Sequence, residues 1–185
     1  MIYLLLILLA MAVIVAVNLL VGAALWPTVG ATCLLTVAVI AIDGLFAFLI
    51  RRLPERLFSY EGRIFAVGQR EGALYRRLCL GRWGAVLVPD LGCFTAFPKR
   101  HLLSPRDPAY TGRYLLEAAY GIVIHAVNIP TGFLILPILP SFALSVALPV
   151  AAVNAVLSLL PLLLLRSNFP ALLRLHRANL RRGEK

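Results

Sequence analysis

Between residues 97 and 128 the chain reads FPKRHLLSPRDPAYTGRYLLEAAYGIVIHAVN. Two of the three histidines, His101 and His125, lie in this stretch, and Glu117 sits between them on the apolar side of Arg113. A histidine takes a proton from a hydroxyl near neutral pH, and a carboxylate beside it orients the ring and stabilises the imidazolium. These are the parts of a base-assisted transfer to a hydroxyl acceptor. Within one helix Glu117 and His125 stand about 12 Å apart along the axis, beyond direct contact without a kink or a long reach. His101, brought back by a loop, would meet Glu117 instead. The spacing nominates His101 as base, Glu117 as its orienting acid and His125 as a group lining the cavity. Asp43 and Asp90 are further acids able to partner an imidazole. The competing reading is a polar network that only fastens the loop to the helices.

The elements that must position these groups belong to a membrane. The chain has 185 residues, 61% of them hydrophobic, against roughly 45–50% in a soluble domain. Mean hydropathy is +0.91. Runs of about 20 apolar residues cross a hydrocarbon core. Four such spans are expected, over about 2–25, 30–50, 114–138 and 141–165. A secretory signal is the rival reading of the first, but no basic n-region precedes it and the apolar run is too long. Asn18 within it suits an interhelical hydrogen bond. Asp43 lies in the second span, where an acid costs enough to suggest a role or an arginine partner. In the third, Glu117, Gly121, Ile124, His125 and Asn128 recur at helical spacing and share a stripe.

All 18 Lys and Arg follow residue 50, twelve in 51–113 and six from Arg166 on, for a net charge of +10. Basic chains often bind nucleic acid, but charge confined between apolar runs marks cytoplasmic loops. The expected topology is a multi-pass protein of the cell membrane with both termini and the 51–113 segment cytoplasmic. Anionic lipid headgroups are the expected electrostatic partner, with no nucleic acid. Leu74, Tyr75, Leu78 and Trp83 read as an amphipathic surface helix, ringed by Arg70, Arg76, Arg77 and Arg82. Ser167 or Asn168 with Pro170 predicts the start of a second, basic surface helix at the C-terminus, with His176 solvated. A short turn is expected at Trp26-Pro27-Thr28. The fold class is thus an all-α integral membrane protein of four spans, organised as one membrane domain over 1–185.

Three cysteines, Cys33, Cys79 and Cys93, form no CxxC pair, so neither a disulfide framework nor a metal site is expected. There is no GxGxxG, P-loop, GxSxG or HExxH. His101 and Asp107 miss the HxxxxD spacing by one residue.

From about Leu57 onward the chain resembles the glycosyl-4,4'-diaponeurosporenoate acyltransferase family, membrane enzymes of staphyloxanthin-type carotenoid synthesis. The resemblance rests on blocks in order: Glu71-Gly72 with Tyr75, Arg82-Trp83, Pro89-Asp90, Arg100-His101-Leu102, Glu117 with His125, Asn168-x-Pro170, and Arg181-Arg182-Gly183. The chain departs from the family pattern in four places. Ile122 and Ala126 stand where an acid and an aromatic are common, Phe169 where arginine is expected, and Trp83 and Asp90 are one residue further apart. The resemblance implies transfer of a fatty acyl group from a thioester donor to a sugar hydroxyl of a lipid-borne glycoside, with no cofactor. It adds Trp83, Asp90 and Arg100 as substrate-binding candidates beside Asp43 and Asn128. A hydroxyl acceptor needs a base, an acyl chain needs an apolar slot, and a phosphate-rich donor would be drawn by the arginines. The alternatives are a non-catalytic scaffold subunit of a lipid-pathway complex and, more remotely, a small transporter, which the lack of an internal repeat disfavours.

Overall fold

The computed structural model describes residues 2–80 and 102–183, all helix, turn or loop, with no strand among the described residues. Among the described residues five α-helices occur: α1 (Ile2–Leu20), α2 (Leu25–Arg51), α3 (Gln69–Arg77), α4 (Pro108–Thr131) and α5 (Leu148–Gly183). Four stretches are long and apolar enough to cross a membrane: Tyr3–Leu20, Leu25–Arg51, Pro108–Ile135 and Pro140–Arg182.

The boundaries differ from the sequence expectation for local reasons. α1 ends at Leu20 because Gly22 takes φ +88°, the left-handed conformation that closes helices at little cost only for glycine. Trp26-Pro27-Thr28, expected as the turn, opens α2 instead; a proline in a first helical turn forfeits no hydrogen bond. α4 starts at Pro108, earlier than 114, because Asp107 caps it. Its Oδ1 accepts the Ala109 N–H at 2.8 Å and its carbonyl accepts the Thr111 N–H at 3.0 Å. Pro108 then occupies the position where its missing N–H is harmless.

Two compact units share these helices. The first comprises Met1–Arg51 and Ile124–Leu159. Ile14, Leu35, Val39, Ile135, Val146 and Val150 form its core, while Leu4, Leu8, Leu9, Val13 and Val37 point outward, each more than half exposed. Such a surface suits hydrocarbon as solvent. Lipid, however, offers no partner to a loose backbone carbonyl, and two prolines of α5 create them. Pro149 cannot donate the helical hydrogen bond to the Ser145 carbonyl; Asn18 Nδ2 donates to it instead, at 2.9 Å. The stretch Ala143–Ala147 just before it is wound as a π-turn. Pro161 likewise leaves the Leu157 carbonyl without its helical partner, and the Tyr3 hydroxyl donates to it.

The second unit comprises Arg52–Val123 and Leu160–Lys185. Here Phe65 stacks on Phe169 with ring centroids 5.4 Å apart, and Phe58 packs against Tyr120 at 4.2 Å. Gly121 lets α5 approach: a Cβ there would lie 2.7 Å from Leu165 Cδ1. The separate C-terminal surface helix is not found. α5 runs unbroken through Pro161 and Pro170, and Ser167, expected as a cap, turns its hydroxyl back to the Leu164 carbonyl at 2.8 Å. Burial of Phe169, His176 and Asn179 on one stripe outweighs the cap signal. The loop helix is also shifted: α3 ends at Arg77, Leu74 and Leu78 are exposed, and Trp83 lies outside the described residues.

Asn18→Leu should destabilise the protein by about 1 kcal/mol, the usual scale for a hydrogen bond within a membrane. In a Pro149→Ala background the same change should cost less, because residue 149 regains an N–H for the Ser145 carbonyl. Thermal unfolding of the four proteins in detergent measures this coupling.

Candidate functional site

Polar side chains gather at one place in the first unit and two in the second. In the first unit Asp43 is half-buried on α2. Its partner is an amide and not an arginine: Asn154 Nδ2 donates to Asp43 Oδ1 at 3.4 Å and to the Asn128 carbonyl at 3.5 Å. Gly132 makes room for that amide, since a Cβ there would lie 2.7 Å from Asn154 Nδ2. Asn128 is buried, and its side-chain oxygen has no hydrogen-bond partner among the described residues. His125 is half-buried on the same stretch of α4.

In the second unit Glu117 is fully buried, and Arg113 one turn earlier donates from Nη2 to its Oε1 at 2.9 Å. Arg113 is half exposed and lies 3.8 Å from Glu55 through Nη1. The acid predicted from the sequence thus sits inside apolar packing, beside Leu115, Ala118 and Ala119, with a cation at its outer edge. His101, Asp90, Arg100 and Trp83 lie outside the described residues.

The sequence reading missed two clusters in this unit. Arg166, on α5, spreads its guanidinium over three partners. Nε and Nη2 hold the Glu71 carboxylate at 2.5 and 3.0 Å, Nη1 donates to the Ile64 carbonyl at 2.8 Å, and Nη2 also reaches the Ala66 carbonyl at 3.3 Å. The Tyr75 hydroxyl donates to Glu71 as well. Hydrogen bonding from Arg166 holds the Glu71 carboxyl below its ordinary value of 4.5, against the opposing effect of burial. Burial, followed by the hydrogen bond to Glu71, pushes the Tyr75 phenol up. The available signal was the block order: Glu71 and Tyr75 belong to one family-like block, and Arg166 stands two residues before Asn168 of another.

The second cluster surrounds His176, which was expected in solvent and is 5% exposed. Thr111 Oγ1 lies 3.0 Å from its Nδ1 and the Tyr60 hydroxyl 3.2 Å from its Nε2. The Thr111 hydroxyl has one proton and meets the Asp107 carbonyl at 3.0 Å. Given there, that proton leaves Oγ1 to accept Nδ1–H, while Tyr60 donates to Nε2. Asn179 Nδ2 donates to the Pro105 carbonyl at 2.8 Å and approaches Thr111 Oγ1 at 3.5 Å. The ring rests against bare backbone, since a Cβ on Gly112 would stand 3.2 Å from His176 Cε1. Arg174, Arg177 and Arg181 are exposed, as a basic surface helix would have them, whereas His176 is not. No group of three or more metal-ligating side chains occurs among the described residues.

Two outcomes follow. His176→Leu takes the acceptor from the Tyr60 hydroxyl and a donor from Thr111 Oγ1 and should cost about 1–3 kcal/mol, read as a lower unfolding temperature in detergent. Glu71 titrates lower folded than unfolded, so its contribution is complete above pH 4.5 and lost as pH falls through the folded value. Unfolding temperature should therefore drop on acidification below that point, and less steeply in Glu71→Gln.

Among protein families, the glycosyl-4,4'-diaponeurosporenoate acyltransferase family matches residues 54–178. No curated protein and no solved structure matches the chain.

Proposed function

The chain belongs to that family, and on that premise we propose that it moves a fatty acyl group from a thioester donor to a sugar hydroxyl of a carotenoid glycoside at the cytoplasmic face of the cell membrane. The family match over two thirds of the chain carries the reaction class, and four membrane-length helices suit a lipid-borne acceptor. In the reaction the sugar oxygen attacks the thioester carbonyl carbon and the C–S bond breaks. The hydroxyl proton passes to a base and from it to the departing thiolate, so ester and free thiol are the products.

His101 is the proposed base, with Glu117 orienting it. A fully buried carboxylate fixed by Arg113 at 2.9 Å is held in place for that task. Trp83, Asp90 and Arg100 are proposed to bind substrate, and His125, Asp43 and Asn128 to line the acceptor's path. Exposed Arg70, Arg76 and Arg174 supply positive charge for an anionic donor carrier or lipid headgroups. The arginine excess after residue 50 supports cytoplasmic termini.

The scaffold reading draws on one observation, the chain Glu55–Arg113–Glu117, which is also what a structural network looks like. The purified wild type, His101→Ala and Glu117→Gln, given an acyl thioester and a carotenoid glycoside, separate the two. Transfer by the wild type with a loss of about 10²–10⁴-fold in His101→Ala, at unchanged unfolding temperature, supports catalysis. Unchanged turnover in His101→Ala rejects it as base. No transfer by the wild type, with Glu117→Gln unfolding early, supports the scaffold.

A further inference from the structure

An open groove of about 330 Å³ in the first unit is lined by α1 and α2, including Met11, Ala12, Ala16, Leu19, Val29 and Cys33. A second, tighter hollow of about 40 Å³ is lined by Ile7, Ile14, Thr36, Ile40, Val150 and Asn154, among others. Met11 lines both, so they adjoin at its side chain. On α2 the residues of the two hollows follow one stripe: Val29, Cys33, Thr36, Ile40. The next position on that stripe is Asp43, and the amide bound to Asp43 is Asn154 of the tighter hollow. From Val29 to Asp43 the stripe is about 21 Å long at 1.5 Å per residue.

One end of this path is polar and the rest is hydrocarbon. Thr32, which lines the groove, has already spent its hydroxyl on the Thr28 carbonyl at 2.8 Å. The groove holds about ten water-sized groups at roughly 30 Å³ each, the scale of a single chain rather than a diacyl lipid. The hollow beyond Met11, at about 40 Å³, admits only something thin. At the polar end an acid accepts hydroxyl protons and repels phosphates. A ligand with a neutral hydroxyl-bearing head and one straight, slender tail fits. An anionic thioester carrier does not.

We propose that the α1–α2 path holds the polyene tail of the glycoside acceptor, with its sugar end toward Asp43 and Asn154, so that Met11, Ala12, Ala16 and Cys33 govern which acceptor is accepted. This rests on the acyl-transfer reading and adds to it the seat of the acceptor. It involves a part of the chain, 1–53, that the family match does not include.

Cys33 is exposed in the groove and gives a direct probe. The detergent-purified full chain is treated with N-phenylmaleimide, and modification of the Cys33 peptide is followed by mass spectrometry. With the glycosylated polyene at ten times its Kd, labelling should slow about tenfold. An acyl thioester and a phosphatidylcholine of matched chain length should leave it unchanged. Protection by the thioester, by the phosphatidylcholine or by none of the three overturns the proposal. Ala16→Trp, which fills the groove, should abolish the protection and raise KM for the glycoside without raising KM for the thioester. A KM unmoved for the glycoside also overturns it. The labelling needs no turnover, so a chain that protects Cys33 but transfers no acyl group fails the enzymatic reading alone.

Discussion

In hydrocarbon a backbone carbonyl without a donor has nowhere to turn, and much of the first unit is arranged around that fact. α5 carries Pro149 and Pro161, and each removes the donor for a carbonyl one turn earlier. The two polar side chains that meet these carbonyls, Asn18 and Tyr3, both come from α1. α1 otherwise presents leucines and valines to the outside and would slide or rotate freely against its neighbours. Two hydrogen bonds to fixed carbonyls set both its height and its rotation. The same logic ends α4: Pro130 withholds a donor, and beyond Thr131 the chain passes into a 3₁₀ turn, Gly132–Ile135. There Gly132 leaves space for the Asn154 amide that serves Asp43.

The second unit answers a different requirement, which is to hold a long, charge-rich segment against a helix. Arg166 does this with one side chain. A guanidinium offers several donors in a rigid fork, and here they hold a carboxylate at both oxygens and the carbonyls of Ile64 and Ala66. The segment around Arg63–Phe65 has few internal hydrogen bonds of its own, so an outside donor fixes its shape. The Phe65–Phe169 stack, three residues along α5, supplies the apolar part of the same contact. A lysine would reach one of these partners and leave the others unmet.

Composition and spacing revealed four membrane-length helices and the interhelical use of Asn18, because apolar run length and isolated polar residues are strong signals. Places where two weak signals compete were not legible. Ser167, Asn168 and Pro170 spell a helix start, yet a buried stripe of Phe169, His176 and Asn179 keeps α5 continuous. His176 looked solvated because its neighbours in sequence are arginines; its partners, Tyr60 and Thr111, are distant in the chain. An arginine partner was one of two readings of Asp43, since charge opposite charge is the obvious remedy. An amide on the same stretch as Pro149 and Pro161 supplied it instead, and no periodicity announces such a pairing.

The span of the family match divides these features in an informative way. Residues 54–178 include Glu71, Tyr75, Glu117, Arg166 and His176, the buried or half-buried polar clusters of the second unit. They exclude α1 and α2, hence the groove at Met11, Ala16 and Cys33 and the acid at Asp43. A reaction common to a family constrains the groups that carry and position charge, since a misplaced carboxylate or guanidinium costs several kcal/mol in an apolar setting. A hydrocarbon-lined path is held to volume and shape alone, and many aliphatic combinations satisfy those. The match takes in the apolar stretches of α4 and α5 along with the charged clusters, and what it leaves out is a pair of helices whose one charge before Arg51 is Asp43.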